Sequence, residues 1–429
     1  MMDIISTLPD GVLCHILSFL ETKQAVATSI LSNRWKHLWL SVPVLDFSNT
    51  HVADQEANFR FNDFVYSVLL SRDSTIPIKV FHLYVMYNYS QPDDHLRTPS
   101  FAKWINFVLQ RGVEYLDLQV GLGWPILPIN IFSCTTLVVL KLRFFLLDPR
   151  FSSVLLLLPS LKTLDLQFIM FPNHEDFMLL LDQCPNLEDL RISDLGFDDE
   201  EDSQSFDDEE DSQSFDNDED FRSCDKWKNF TLSNLTKADV DSSYFDFPMK
   251  ALHTVQSLSM CIYTAQVQRY AIPTFHNLTH LHLDCLNYRW KFLVEVLKHC
   301  PKLQLLDLDE AGLNSVDQTW TRKDDKENWV DPDIVPQCLS IHLRACYLSS
   351  FLGLQGELRL ARYILKNAKV LQTMRIDTIG QQPGIEEILS SFPRASSLCK
   401  LTFVHLPCDD SSESDSSSDA NESSMGSNA

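Results

Sequence analysis

The chain has 429 residues, 45% of them hydrophobic, and a formal charge of −24. That length allows two or three domains, and the charge excludes a nucleic-acid-binding fold built on a basic stripe. The longest apolar runs, such as Val154 to Leu158, are far too short to cross a bilayer, and Met1-Met2-Asp3 lacks the positive start of a secretory signal.

The acidity is concentrated. Residues 198–220 hold 14 Asp/Glu and 406–429 hold 6, neither with a Lys or Arg, so the remainder carries only −4. The 11 cysteines are scattered, with no Cys-x-x-Cys pair, and read as reduced thiols of a nuclear or cytoplasmic protein.

Three short amphipathic helices are predicted at the start. Pro9 suits a first helical turn with Thr7 as a cap, and Leu13, Ile16, Leu17 and Leu20 form an apolar stripe. Thr22 caps a second helix carrying Ala25, Val26 and Ile30, and Ser32 a third carrying Trp35, Leu38 and Trp39. Some forty residues cannot bury a sizeable core alone, so the module packs on something else. The two choices are a partner whose groove accepts helices and the next domain of this chain, which the helices would cap.

From about residue 80 an apolar-x-x-apolar-x-apolar pattern recurs. It is clearest at Leu137, Leu161, Leu187, Leu278 and Leu303, and weaker copies begin at Val80, Val113, Leu235, Val255, Leu343, Leu371 and Leu398. Steps of 24, 24 and 26 residues link Val113, Leu137, Leu161 and Leu187. These are leucine-rich-repeat periods. Each repeat supplies a strand and an outer helix or turn, and neighbours stack because none can bury its own apolar face. Helices are expected at Ala102 to Arg111 and Trp290 to His299. Lead-in cysteines such as Cys134, Cys184 and Cys300 read as small apolar packing groups. The predicted fold is therefore α/β: a small three-helix module over 1–48, then an irregular solenoid over 76–405 with a curved parallel sheet and outer helices.

The step from Leu187 to Leu235 is 48 residues, twice the period. The excess includes Asp198 to Phe206, repeated at once as Asp207 to Phe215. Charge this dense favours a disordered insert over 197–224, read as a solvated spacer or as an acidic docking or phosphorylation segment. The Ser/Asp-rich tail over 406–429 reads the same way.

No enzyme motif stands out. There is no phosphate-binding Gly-x-x-x-x-Gly-Lys and no His-Glu-x-x-His, and Gly121-x-Gly123 precedes Trp124-Pro125 rather than a helix. His276, His280, His282 and Cys285 are the best metal candidates. The pattern puts Leu281 and Leu283 inward and both neighbouring histidines on the open face, an ordinary strand surface. No metal, cofactor, nucleic acid or membrane is therefore expected.

The order Leu8-Pro9-Asp10, Ile16-Leu17-x-x-Leu20, Ser32-x-Arg34-Trp35-x-x-Leu38-Trp39 resembles an F-box, with Gly11 departing from the usual acidic residue. The stretch from Val335 through Gly353-Leu354-Gln355-Gly356-Glu357-Leu358 to Leu371 looks like an FBD motif, taken here over 331–405, with a helix from Glu357 to Asn367. The whole resembles plant F-box proteins with leucine-rich repeats and an FBD. That resemblance implies a non-catalytic substrate receptor, bound through a Skp-type adaptor to a cullin in a ubiquitin ligase, holding an unknown protein substrate. A scaffold or decoy on the same adaptor, or a plain repeat-type binding protein, remains open. The adaptor-binding residues implied are Leu8, Pro9, Leu13, Ile16, Leu17, Leu20, Val26, Trp35 and Leu38. The substrate-binding candidates, read as the positions between the pattern's apolar residues, are Tyr115, Asp117, Lys141, Asp165, Arg191, Asp239, His280, His282, Asp307 and Arg375.

Overall fold

The computed structural model describes residues 5–87, 99–121, 124–153, 155–198, 227, 229–241, 247–261, 272–284, 290–309, 331–379 and 384–406. Within them lie thirteen strands in one sheet whose spatial order is their sequence order, every neighbouring pair parallel. A strictly sequential parallel sheet is what stacked repeats produce, because each strand pairs only with the one before and after it.

The N-terminal module comprises α1 (Asp10–Leu17), α2 (Thr22–Ala27) and a 3-10 turn at Trp35–Ser41 in place of the expected third α-helix. Its start also differs from expectation. Pro9 occupies the N-cap of α1 rather than its first turn. Thr22 is the first residue of α2 instead of its cap, and its buried hydroxyl accepts the backbone N–H of Asp46 at 2.8 Å.

The sheet then begins at once, some thirty residues before the expected boundary at 76. Strand β1 (Val44–Val52) pairs with β2 (Val80–Tyr87), and α3 (Gln55–Ser71) crosses between them, capped by the Asp54 carboxylate on Ala57 N–H at 2.7 Å. The opening repeat is Val42-x-x-Leu45-x-Phe47, all three buried. The second is Ile78-x-x-Phe81-x-Leu83, since Phe81 lies opposite Leu116. The copy read from Val80 is thus two residues out of register, because Val80 and Val85 are apolar enough to imitate the pattern.

The remaining strands are β3 (Tyr115–Gly121), β4 (Val139–Leu146), β5 (Thr163–Phe171), β6 (Asp189–Phe197), β7 (Lys237–Asp241), β8 (Ser257–Cys261), β9 (His280–Asp284), β10 (Leu305–Asp309), β11 (Ala345–Phe351), β12 (Thr373–Ile379) and β13 (Lys400–Leu406). The helices α4 (Pro99–Leu109), α5 (His174–Asp182), α6 (Trp290–Lys298), α7 (Gln337–Ile341), α8 (Gln355–Asn367) and α9 (Ile385–Ser390) lie between them. Apolar residues of these helices and the inward strand positions share one continuous core, with Cys184, Cys300, Cys338 and Cys346 inside it. Burial pushes the Cys184 and Cys338 thiols up to about 12.

The lead-in turns are stitched by a short polar ladder. Ser160 donates to the Thr135 carbonyl at 2.8 Å, Asn186 to Pro159 at 2.8 Å and Asn234 to Pro185 at 2.9 Å. Each donor precedes the leading leucine of its repeat and bonds the equivalent turn one repeat back. This satisfies turn carbonyls that the sheet leaves without strand partners. In α8, Glu357 is buried and accepts from Leu354 N–H at 2.7 Å and Leu352 N–H at 3.3 Å, fixing the turn into the helix.

Strand β6 runs through Phe197, so the expected insert does not begin there. Residues 199–226 and 407–429 lie outside the described residues. Among the described residues no helix is long and apolar enough to cross a membrane.

Candidate functional site

The F-box-like module has an inner and an outer apolar surface, one residue apart on α1. Leu13 and Leu17 are buried with Ala25, Trp35, Leu38 and Val42 in a small core of their own, against which Leu8 and Leu20 pack half-buried. Val26 is half-buried against the solenoid core, and Trp39 touches both cores. Of the nine residues expected to meet an adaptor, only Pro9 and Ile16 are exposed. Leu13, Leu17, Trp35 and Leu38 hold the module together instead. The sequence stripe merged two faces, since Leu13, Leu17 and Leu20 fall at i, i+4, i+7 inside, while Val12, Ile16 and Phe19 repeat that spacing outside.

Of the outer ridge, only Ile16 was among the residues expected from the sequence; Val12 and Phe19 were not. Val12 and Ile16 are more than two-fifths exposed and Phe19 is 76% exposed, with Ile30 and Leu31 also open at the end of the second helical segment. The His15 ring packs edge-on to Phe19 at 4.9 Å. Arg34 of the Ser-x-Arg-Trp motif clamps the start of α1, donating to the Asp10 carboxylate and the Leu8 carbonyl. The core thus sets the angle at which the ridge is presented.

On the sheet, strand register places eight of the ten substrate candidates in one lateral row. Asp117, Lys141, Asp165, Arg191 and Asp239 are consecutive neighbours across β3 to β7. After Ser259 come His282 and Asp307, then Tyr347 and Arg375. Tyr115 and His280 stand in the adjoining row, two residues earlier in their strands. Reading every copy of the pattern at the same offset would have added His82, Ser259, Tyr347 and Thr402 to this row.

Charges along the row are largely paired. Arg143, two residues beyond Lys141 and absent from the sequence reading, bridges Asp117 at 3.2 Å and the buried Asp165 at 3.3 Å. Arg191 meets Asp239 at 3.4 Å and Arg375 meets Asp377 at 2.8 Å. Lys141 lies 5.6 Å from the Tyr115 ring centre, and hydrogen bonding to that side chain raises the ammonium's pKa. His282 Nδ1 is 3.2 Å from Asp307, whose hydrogen bond raises the imidazole's pKa, aided by Asp284 and Asp309. His280 and His282 both flank inward Leu281 on the open face, and Cys285 lies outside the described residues. No group of three or more metal-ligating side chains is assembled among the described residues.

The backbone leaves this face in concert. Between the pairs Arg143↔Gln167↔Ser193 and Phe145↔Ile169↔Leu195, the intervening Phe144, Phe168 and Asp194 adopt φ of 65, 54 and 52°. Few non-glycine residues occupy this region.

Family models match the module that carries the ridge and parts of the sheet that carries the row. The F-box domain model matches residues 5–47, the leucine-rich repeats of FBD-associated F-box protein At5g56370 match 101–198, and the FBD model matches 331–376. F-box/FBD/LRR-repeat protein At4g26340 of Arabidopsis thaliana is 31% identical, over 94% of this chain and all of that protein. The chain belongs to the F-box/FBD/LRR-repeat family. FBD-associated F-box protein At5g56370, also from Arabidopsis, is 32% identical over 94% of this chain and its own full length. Within this family member the F-box is the three-helix module, and the FBD match spans α7, β11, α8 and the start of β12.

Proposed function

We propose that this F-box/FBD/LRR-repeat protein is the substrate-recognition subunit of a Skp–cullin–F-box ubiquitin ligase. The observation that carries the reading is the ridge of Val12, Ile16 and Phe19, left open on the face of α1 opposite the buried Leu13 and Leu17. Large apolar side chains aligned on one helix face mark an interaction surface. The Skp-type adaptor is the partner assigned to it, and the cullin joins through that adaptor. The open face of the sheet is assigned to a protein target, because it presents a wide row of polar and aromatic side chains on a rigid frame. The subunit performs no chemistry itself in this assignment. Ubiquitin transfer is left to the rest of the assembly.

The test is co-expression with a plant Skp adaptor and a cullin, comparing wild type with Ile16→Asp and Phe19→Asp. The expected result is a stoichiometric complex with wild type, lost in both variants while their thermal melts stay unchanged. No complex with wild type would leave a plain repeat-type binding protein. A complex that never supports ubiquitination of any captured protein would point to a scaffold or decoy.

A further inference from the structure

The solenoid is covered at one end and open at the other. At its start, Leu45 and Phe47 of β1 are buried, the Thr22 hydroxyl takes the Asp46 N–H, and Val26 and Trp39 pack on the repeat core. At its finish, β13 pairs with β12 and, among the described residues, with no other strand. Its repeat opens at Leu398, which is 71% exposed, whereas the leading Leu303, Leu343 and Leu371 of earlier repeats are 0% exposed. Leu401 and Phe403 are only half-buried, while Met374 and Ile376 opposite them on β12 are fully buried. Each inner repeat buries these positions under the next one, and no described repeat follows this one.

The backbone of this edge is open as well. Lys400 N–H donates to the Gln372 carbonyl at 2.9 Å, so alternate residues from Lys400 onward bond β12. The N–H and C=O groups of Leu401 and Phe403 therefore face away from the sheet, where another strand can pair with them. Residues 407–429 hold no Leu, Ile, Val, Phe, Tyr or Trp, so they lack the side chains that would complete this core. Copies cannot stack head to tail, because the F-box already covers the first strand. They can meet tail to tail. The lead-in 391–400 carries the exposed Arg394 and Lys400 and no carboxylate, whereas 407–429 carries 6 carboxylates and no cation. An antiparallel pair starts each acidic stretch beside the other copy's lead-in. A parallel pair would start the two acidic stretches side by side.

We propose that the open end is a surface for a second copy of this chain, whose β13 pairs antiparallel with this one across a two-fold axis at Thr402. Leu401 of each copy then lies opposite Phe403 of the other. Their outward N–H and C=O groups exchange hydrogen bonds, and the four side chains close the open ends of both cores. Such a contact uses the same patch on both copies and so stops at two. It joins the two sheets into one and leaves an F-box at each far end. The inference does not depend on the adaptor or target assignments.

The test is sedimentation velocity of the full chain over a concentration series into the tens of micromolar. The expected result is a concentration-dependent doubling of mass. Leu398→Asp alters an exposed side chain, so its melt should match wild type while its dimer dissociation constant rises at least tenfold. Thr402→Cys should cross-link into a covalent dimer in oxidised glutathione, because facing residues of a non-hydrogen-bonded pair lie ~4.5 Å apart at Cα, within disulfide reach. Lys400→Cys should not, since the two-fold leaves its two copies about 13 Å apart along the strands. A wild type that stays monomeric throughout, undiminished association of Leu398→Asp, or cross-linking of Thr402→Cys no faster than that of Lys400→Cys would each overturn the proposal.

Discussion

The Thr22 hydroxyl accepts the backbone N–H of Asp46 at 2.8 Å, so the second F-box helix is hydrogen-bonded to the first strand of the solenoid. Val42 belongs to the F-box core and opens the first repeat, and Trp39 packs on both cores. The joint is therefore a shared core rather than a linker, and whatever the ridge docks is held at a set angle to the open face.

Arg72 completes that joint. It is buried at the end of α3 and donates to the Trp39 carbonyl at 3.2 Å and to the Val42 carbonyl. Burial depresses its pKa to about 10, which still leaves it charged at neutral pH. Arg72→Ala removes both bonds and the packing of the stem, and should cost on the order of 2 kcal/mol. Urea unfolding measures that cost, and small-angle scattering should show a broader distribution of distances. An unchanged profile would mean the shared apolar core alone sets the angle.

The inner and outer faces of α1 predict opposite behaviour for adjacent residues. Leu17→Asp places a carboxylate in the F-box core without a partner and should cost ~3 kcal/mol or more, melting the module. Ile16→Asp changes an exposed site and should stay within about 0.5 kcal/mol of wild type, yet abolish adaptor co-purification. Proteolysis across residues 5–47 separates the two outcomes. Loss of binding in Leu17→Asp alone would show unfolding, not an interface.

The repeats were legible because their leucines recur at a spacing only a strand-and-turn stack satisfies, and Leu140, Leu164 and Leu190 lie opposite each other as that spacing requires. The first two repeats were not. Val42 falls inside the F-box, and Val80 offers a false start two residues from the true one. Likewise, α1 has apolar residues on two faces, and nothing in the spacing of Val12, Leu13, Ile16 and Leu17 says which pair faces the core until Trp35 and Leu38 pack against one of them. Arg143 was missed because the pattern defines only one outward position between its second and third apolar residues. The bridge to Asp117 and Asp165 depends on strands brought together from 22 to 26 residues away.

That bridge should be felt in stability. Asp165 is the most buried carboxylate of the row, and Arg143 reaches it from the next strand. Arg143→Met keeps the stem but removes the guanidinium that Asp117 and Asp165 share, leaving them only the Lys141 ammonium of the strand between, and should destabilise by ~1–3 kcal/mol. Adding Asp165→Asn should recover much of the loss, a coupling that a double-mutant cycle in urea reads directly. Strict additivity would show that the guanidinium contributes only through packing.

His282 gives the open face a pH dependence of definite sign. It is half-buried, with Asp307 accepting its hydrogen bond and Asp284 and Asp309 nearby, and its pKa is raised above 6.5. Folding therefore favours the protonated ring. The resulting stabilisation is fully present below the unfolded value and is lost as pH rises through the folded one. His282→Gln should cost most at about pH 6 and least at about pH 8, with the gap between the urea midpoints of wild type and variant narrowing steadily in between. Salt should shrink that gap at the lower pH, because the pair is partly exposed to screening. A gap independent of pH would mean that His282 acts by shape and hydrogen bonding alone. A gap that widened with pH would mean the neutral ring is the form the fold prefers.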